Sequence, residues 1–231
     1  MSRLLNRIAT GELLISDGAT GTYLQNNGLE PGGCPEEFNA SRPEVIRGMA
    51  AAYFEAGSDM VETNSFGSSR YMLAKYGHGD RVEEWNRLAA ELAREAAPEG
   101  CFVLGSIGPT GEILEEKAGT ADAGEMYEVF AEQARGLAAG GVDAVCVETM
   151  SDATGEMKLA IRAVKEATGL PVVATVCYDR GPRGLFTMMG DTPQSAAETL
   201  AEAGANIIGG CCGTGPEHVR AFVSRLRGGS A

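Results

Sequence analysis

The residues whose type best suits them to chemistry are two adjacent cysteines near the C-terminal end, in the run Gly209-Gly210-Cys211-Cys212-Gly213-Thr214. Neighbouring side chains in a strand point to opposite faces. Both thiols can reach one metal ion only where the backbone turns sharply, and the flanking glycines permit that turn. Thiolates bind zinc at about 2.3 Å. The pair alone is also compatible with two buried structural cysteines, because an unpaired cysteine packs as a small hydrophobe. The glycine frame and the position just after a strand favour the metal, with Cys211 and Cys212 as the reactive centre.

A third ligand has one candidate in the same pattern. Cys177 directly follows Val172-Val173-Ala174-Thr175-Val176, at the end of the preceding strand. It reads either as the third thiolate or as a buried spacer. Cys146 alternates with Glu148 among apolar neighbours and reads as core. Cys101 opens a strand at the opposite end, and Cys34 lies in a Gly-Gly-Cys-Pro loop, so neither is expected to bind metal. His78 and His218 are expected at the surface. Six cysteines, two of them adjacent, do not form a disulfide framework, and a reducing, cytoplasmic setting is expected.

The elements that must position these residues alternate regularly. Short apolar runs at 13–15, 59–63, 101–104, 143–147, 171–176 and 206–208 read as strands. Amphipathic stretches at 43–56, 82–97, 125–139, 154–167, 193–203 and 216–226 read as helices. Ser41 and Thr192 are candidate N-caps, Gly57 stands just past a helix end, and Pro216 takes a favoured first-turn position. Six βα units in a row imply parallel strands with right-handed crossovers. Asp17, Asn64, Gly108, Glu148, Cys177 and Cys211-Cys212 all fall just after a strand. In a βα barrel those positions share one rim, where active sites are built. The expected fold is therefore a TIM-type α/β barrel shortened to about six units, in a single domain over 1–231. A complete eight-unit barrel takes about 250 residues, and this chain has 231.

Composition narrows the function. There are 32 acidic and 19 basic residues, for a net charge of −13. Such a surface repels phosphate backbones and anionic membranes, so nucleic acid and membrane partners are not expected. No apolar run approaches the roughly 20 residues that span a bilayer. No GxGxxG follows the first strand and no P-loop motif occurs, which weakens any nucleotide-binding reading.

The run Gly209 to Val219, Gly-Gly-Cys-Cys-Gly-Thr-Gly-Pro-Glu-His-Val, resembles the zinc-site signature of the homocysteine S-methyltransferase family. Four further motifs match in order: Asp17-Gly18-Ala19-Thr20-Gly21-Thr22, Glu62-Thr63-Asn64-Ser65-Phe66-Gly67, Gly105-Ser106-Ile107-Gly108-Pro109-Thr110-Gly111 and Glu148-Thr149-Met150-Ser151-Asp152. The Gly-Pro-Thr-Gly and Glu-Thr-Met-Ser-Asp wording is closest to the methionine-synthase branch.

The resemblance implies zinc as cofactor and homocysteine as methyl acceptor, with methionine as product. No corrinoid or folate module fits this length, so the expected methyl donor is a separate corrinoid protein or a small molecule such as a methylated sulfonium or betaine. The resemblance puts Cys211 and Cys212 on the zinc, and Cys177, at a position the family does not generally use, is the candidate substitute for the third ligand. Asp17 and Glu148 would take the amino group of homocysteine, with Asn64 at the same rim. The backbone of Gly18 and Ala19 would take the carboxylate. Without the resemblance Asp17 reads as an ordinary turn residue. In the family the zinc ligands are one cysteine after the sixth strand and an adjacent pair after the eighth. Here the double cysteine follows the sixth, and the lone cysteine has no separate counterpart. A barrel opened in this way exposes two strand edges, and a homodimer is the expected cover. The alternatives are a methyltransferase for another thiol with a small methyl donor, and a non-catalytic zinc-binding or corrinoid-protein-binding module.

Overall fold

The computed structural model describes residues 2–150, 152–178, 186–210 and 216–227. It opens with α1 (Arg3–Ala9), α2 (Thr20–Asn26), a 3-10 turn (Pro35–Glu37), α3 (Phe38–Ser41) and α4 (Pro43–Glu55). Then come β1 (Met60–Glu62), α5 (Arg70–Ala74), α6 (Val82–Ala96), β2 (Phe102–Ile107), a second 3-10 turn (Glu115–Lys117) and α7 (Ala123–Ala139). The remainder is β3 (Ala144–Met150), α8 (Glu156–Thr168), β4 (Val172–Val176), α9 (Pro193–Glu202), β5 (Ile207–Gly210) and α10 (Pro216–Arg227). The five strands form one sheet in the order β1-β2-β3-β4-β5, and every neighbouring pair is parallel.

The period of two along each strand divides the sheet into two faces. Val61, Val103, Val145, Val147, Val172 and Ala174 face the helices and join the main core. The alternate residues Phe102, Leu104 and Ala144 line the concave side, in a second cluster with Leu4 and the partly buried Leu14 and Met60. Burial on both faces explains why these strands read as nearly continuous apolar runs.

Helix α1 closes the apolar end of the concave side. Ser2 caps it by accepting a hydrogen bond from the Leu5 N–H at 3.3 Å. Leu4 is 1% exposed. The guanidinium groups of Arg3 and Arg7 lie over the Phe102 ring, 5.1 and 5.4 Å from its centroid. Arg7 also donates to Gly100 O at 2.9 Å and to Asp59 Oδ1 at 3.1 Å.

Four sequence expectations need correction. The first run, 13–15, is not a strand, so the described residues hold five strands in place of six. Ile15 O accepts from Asp59 N and Met60 N at 2.7 and 3.2 Å, but the next contact with β1 is made by a side chain, with Glu62 N donating to Asp17 Oδ2 at 2.9 Å. The carboxylate takes the place a ladder carbonyl would hold, and no regular pairing follows. Second, residues 20–26 form α2 where only a turn was expected. Third, Ser41 does not cap α4. Its hydroxyl donates to Glu37 O at 3.0 Å, and Arg42 occupies the cap position without capping the helix through its side chain. Fourth, His218 is buried, its ring 4.4 Å from that of Tyr178. Thr192 does cap α9, in a reciprocal box with Ser195.

Because Leu4 is enclosed by Phe102 and Leu104 and cannot be replaced by water without leaving a void, Leu4→Ala should destabilise the protein by about 2–5 kcal/mol in urea unfolding. A loss below about 0.5 kcal/mol, the range of neutral surface changes, would show that α1 is not part of the folded unit.

Candidate functional site

The concave face changes character along the strands. The apolar level of Met60, Phe102 and Ala144 gives way to Glu62, Ser106 and Glu148 at the C-terminal ends. This is the end of parallel βα units where sites are built. A cavity of about 390 Å³ opens there, lined by residues 18–21, Pro35, Glu36, residues 62–66, Ser106 and Glu148. That volume suits a small organic ligand.

Three carboxylates converge at this level. Glu148 is held by the Ser106 hydroxyl, which donates to its Oε1 at 2.5 Å, and by the Thr149 hydroxyl, which donates to Oε2 at 3.3 Å. Asp17 accepts from Glu62 N on Oδ2 and from the Ser16 hydroxyl on Oδ1 at 3.1 Å. Its carboxyl is pushed above the usual range by burial and, to a smaller degree, by the Glu148 charge, against the pull of those hydrogen bonds. Glu62 is pushed up to about 8, first by burial and then by the charges of Glu148 and Asp17. The neighbouring Cys146 side chain pulls it partly back. No Lys, Arg or His lines the cavity among the described residues.

The backbone at Glu148 is unusual. Thr149 has φ +60°, in the left-handed region that β-branched residues avoid, and the β3–β4 register shifts between Glu148 and Met150. Such a conformation costs about 1–3 kcal/mol and persists only where the surroundings enforce it. Here it accompanies the placement of the Thr149 hydroxyl on Glu148.

The wall of the cavity is the loop after β1, and it is buried. Its backbone groups therefore need partners, which come from side chains on surrounding elements. Asn39 Nδ2 donates to Asn64 O at 2.9 Å, Gln133 Nε2 to Ser65 O at 2.7 Å, and Asn86 Nδ2 to Ser68 O at 3.0 Å. Gly67 N donates to Glu36 Oε1 at 2.7 Å. Gly108 packs so closely against the Phe66 ring that a Cβ would lie 2.6 Å from it and would displace the ring.

The site residues expected from the sequence divide into two groups. Gly18, Ala19, Asn64 and Glu148 line the cavity, and Asp17 adjoins it through Glu62 N. Asn64 also braces the wall, donating to Pro35 O at 2.8 Å and to Asn39 Oδ1 at 3.0 Å. Cys177 follows β4, and its N–H extends the ladder by donating to Met150 O at 3.1 Å. Cys211 and Cys212 lie outside the described residues. Among the described residues no three His, Cys, Asp or Glu side chains are grouped to hold a metal ion. Sequence reasoning missed Glu62 and Ser106 as site residues. The period of two was the available signal, since Glu62 shares a face with Met60, and Ser106 with Leu104 and Phe102.

A parallel βα sheet with an acidic cavity at its C-terminal strand ends defines a shortened enzyme barrel of the TIM type. The family model for homocysteine S-methyltransferase matches residues 14–203 and 189–226. The chain belongs to that family. It is 33% identical to the methionine synthase of Mycobacterium tuberculosis (strain ATCC 25618 / H37Rv) over 95% of its own length and 20% of that protein's. It is also 33% identical to the methionine synthase of Mycobacterium leprae (strain TN), over 93% of this chain and 19% of that protein. The chain thus spans about a fifth of the length of these relatives. In fold it is similar to the oxidized form of the homocysteine methyltransferase MmuM from Escherichia coli, with a TM-score of 0.57 and 18% identity, over 96% of this chain and 99% of that one. The apo form of the same protein gives a TM-score of 0.58 at 18% identity, over 92% and 95% of the two chains.

The raised Glu62 carboxyl has a consequence for stability. An unfolded glutamate titrates near 4.5 and the folded one at about 8, so the folded state holds this proton more tightly. The stability it contributes is complete below about pH 4.5 and is lost as pH rises through about 8. Glu62→Gln, which does not titrate, should therefore gain stability relative to the parent protein as pH is raised from about 5 to about 9, read from urea midpoints. A difference that stays constant with pH would place Glu62 outside the carboxylate cluster.

Proposed function

We propose that the chain is a zinc-dependent homocysteine S-methyltransferase that converts homocysteine to methionine. The observation that carries the reading is the convergence of Asp17, Glu62 and Glu148 on one cavity at the C-terminal strand ends, in a chain of this family. A cavity edged by carboxylates and lined, among the described residues, by no basic side chain suits the ammonium group of an amino acid. Glu148, fixed by Ser106 and Thr149, is the principal acceptor, and Asp17 is the second. The substrate carboxylate is assigned to the backbone amides at 18–21, where α2 begins and first-turn N–H groups have no intrahelical partner. Asn64 keeps the wall in place, so that the substrate is held in one orientation.

The donor set assigned to zinc is Cys177, Cys211 and Cys212. What supports it is the soft-ligand chemistry of thiolates together with the β4–β5 register. Val176 pairs with Gly210, the last residue of β5. Cys177 and Cys211 are the next residues in sequence after that pair. Zinc bound there would lower the pKa of the homocysteine thiol and keep a thiolate at neutral pH. The protein's part is to hold the amino-acid end of the substrate so that this sulfur faces an incoming methyl group in line. The donor is assigned to a methylcorrinoid on a partner protein, an assignment that rests on the resemblance of 108–111 and 148–152 to the methionine-synthase branch. Self-association that covers the open sheet edges belongs to the same proposal, as does a single domain in a cytoplasmic setting. No described helix is long and apolar enough to cross a membrane.

Two outcomes test the reading. Cys211→Ala and Cys212→Ala should each lose zinc, measured by metal analysis of purified protein, and lose methyl transfer while retaining the parent circular dichroism. Zinc retained in full by both would remove the metal from the proposal, and unaltered zinc affinity in Cys177→Ser would remove that third ligand. Glu148→Gln should weaken homocysteine binding by about 1.5–3 kcal/mol, the range for hydrogen bonds to charged groups. Unchanged affinity in calorimetry would assign the carboxylate another task.

A further inference from the structure

The left-handed backbone at Thr149 persists only where something enforces it. Upstream, β3 is fixed by its ladder to β4, where Val147 pairs with Ala174 and Glu148 with Thr175. The next pair is Met150 with Val176, so β3 carries one residue more than β4 across this step. Downstream, the segment between β3 and α8 is held by side chains from the loops on either side. Thr154 Oγ1 accepts from Lys117 Nζ, of the 3-10 turn after β2, at 2.9 Å. The same hydroxyl donates to Asp191 Oδ1, just before α9, at 2.8 Å. Asp191 Oδ2 accepts from Ala153 N at 2.9 Å and from the Thr187 hydroxyl at 3.0 Å. Lys117 Nζ also lies 3.6 Å from Asp152 Oδ1, which accepts from Gly155 N at 2.9 Å. Glu156, at the start of α8, takes Thr110 N on Oε1 at 2.7 Å. Asp152, Glu156 and Asp191 are buried. A buried carboxylate that loses a donor bears the full desolvation cost of the orphaned oxygen, so these bonds resist breaking.

We propose that Thr154 is a positioning residue for the ligand cavity: bridged between Lys117 and Asp191, it pins the segment after β3, and the extra residue of β3, caught between that pin and the β4 ladder, is forced into the left-handed turn that lays the Thr149 hydroxyl on Glu148. Thr154 does not line the cavity and touches no ligand there. It acts through the backbone that leads back to Thr149. Without the bridge the extra residue can relax. Glu148 then keeps the Ser106 hydroxyl at 2.5 Å but loses the Thr149 hydroxyl at 3.3 Å, and with it a fixed direction for both carboxylate oxygens. The inference deepens the amino-acid reading of the cavity given under Proposed function and rests on it where a ligand is used.

Two double-mutant cycles on the full chain test it, one with ligand and one without. Thr154→Val keeps the shape of the side chain and removes the hydroxyl. It should weaken homocysteine binding about tenfold in the parent protein and less than about twofold in Glu148→Gln, read by calorimetry. Thr154→Ser, which restores the hydroxyl, should bind homocysteine as the parent does. The second cycle reads urea midpoints. Glycine takes φ +60° without strain. The midpoint change caused by Thr149→Gly should therefore be more favourable in the parent than in Thr154→Val, where the strain is already released. Equal losses of affinity in the two backgrounds, or no recovery with Thr154→Ser, would mean general loosening and would overturn the inference. An equal midpoint change in the two backgrounds would overturn it as well. If the parent protein does not bind homocysteine, the amino-acid reading falls, and the midpoint cycle alone decides whether the pin exists. Lys117→Met carries both cycles if Thr154→Val does not fold.

Discussion

In a parallel sheet wrapped by helices, every strand residue faces either the helix layer or the concave side, and nothing along the strand can change sides except at a bulge. The rest of this structure depends on that constraint. Valines at one phase lock the sheet to α4 and α6–α9. Residues at the other phase run from the apolar floor closed by α1 to the acidic level of Glu62, Ser106 and Glu148. The one irregularity in β3 occurs at Glu148 itself, where Thr149 takes a left-handed conformation and the register shifts. The strain is concentrated on the carboxylate best anchored in the cavity.

The acidic level is tolerable because each carboxylate is restrained differently. Glu148 has two hydroxyl donors, Asp17 has a backbone N–H and a hydroxyl, and burial pushes the Glu62 carboxyl up to about 8. Burial pushes Asp17 and Glu62 towards the neutral form, and the Glu148 charge pushes the same way. Hydrogen bonds to Asp17 oppose that push. The same logic governs the wall. A buried loop is costly unless its backbone is paired, and Asn39, Asn86, Gln133 and Glu36 supply the pairing from outside the loop. Loop shape is thus set by side chains distant in sequence.

Helices α4 and α6 to α10 and strands β1 to β5 were legible in the sequence, because their apolar periodicity is strong and their ends carry caps or glycines. Helix α7 starts at the Asp122 cap and α9 at the Thr192–Ser195 box. The short elements α1, α2 and α5 were not legible. Each has seven residues or fewer, too short for a periodic signal and too short to be stable without tertiary contacts. The segment at 13–15 was misread as a strand for the converse reason: its residues suit a strand, but at the sheet edge the Asp17 side chain replaces the ladder.

The sequence by itself determined the βα alternation, the rim positions of Asp17, Asn64 and Glu148, and the family, because these depend on residue type and spacing along the chain. Only the tertiary structure decided that Glu62 and Ser106 join Glu148, and that Asn39, Asn86 and Gln133 hold the wall. The pairs Glu62–Glu148, Ser106–Glu148 and Gln133–Ser65 join residues far apart in the sequence, on different elements. Their energies depend on distance and burial, which no local pattern encodes.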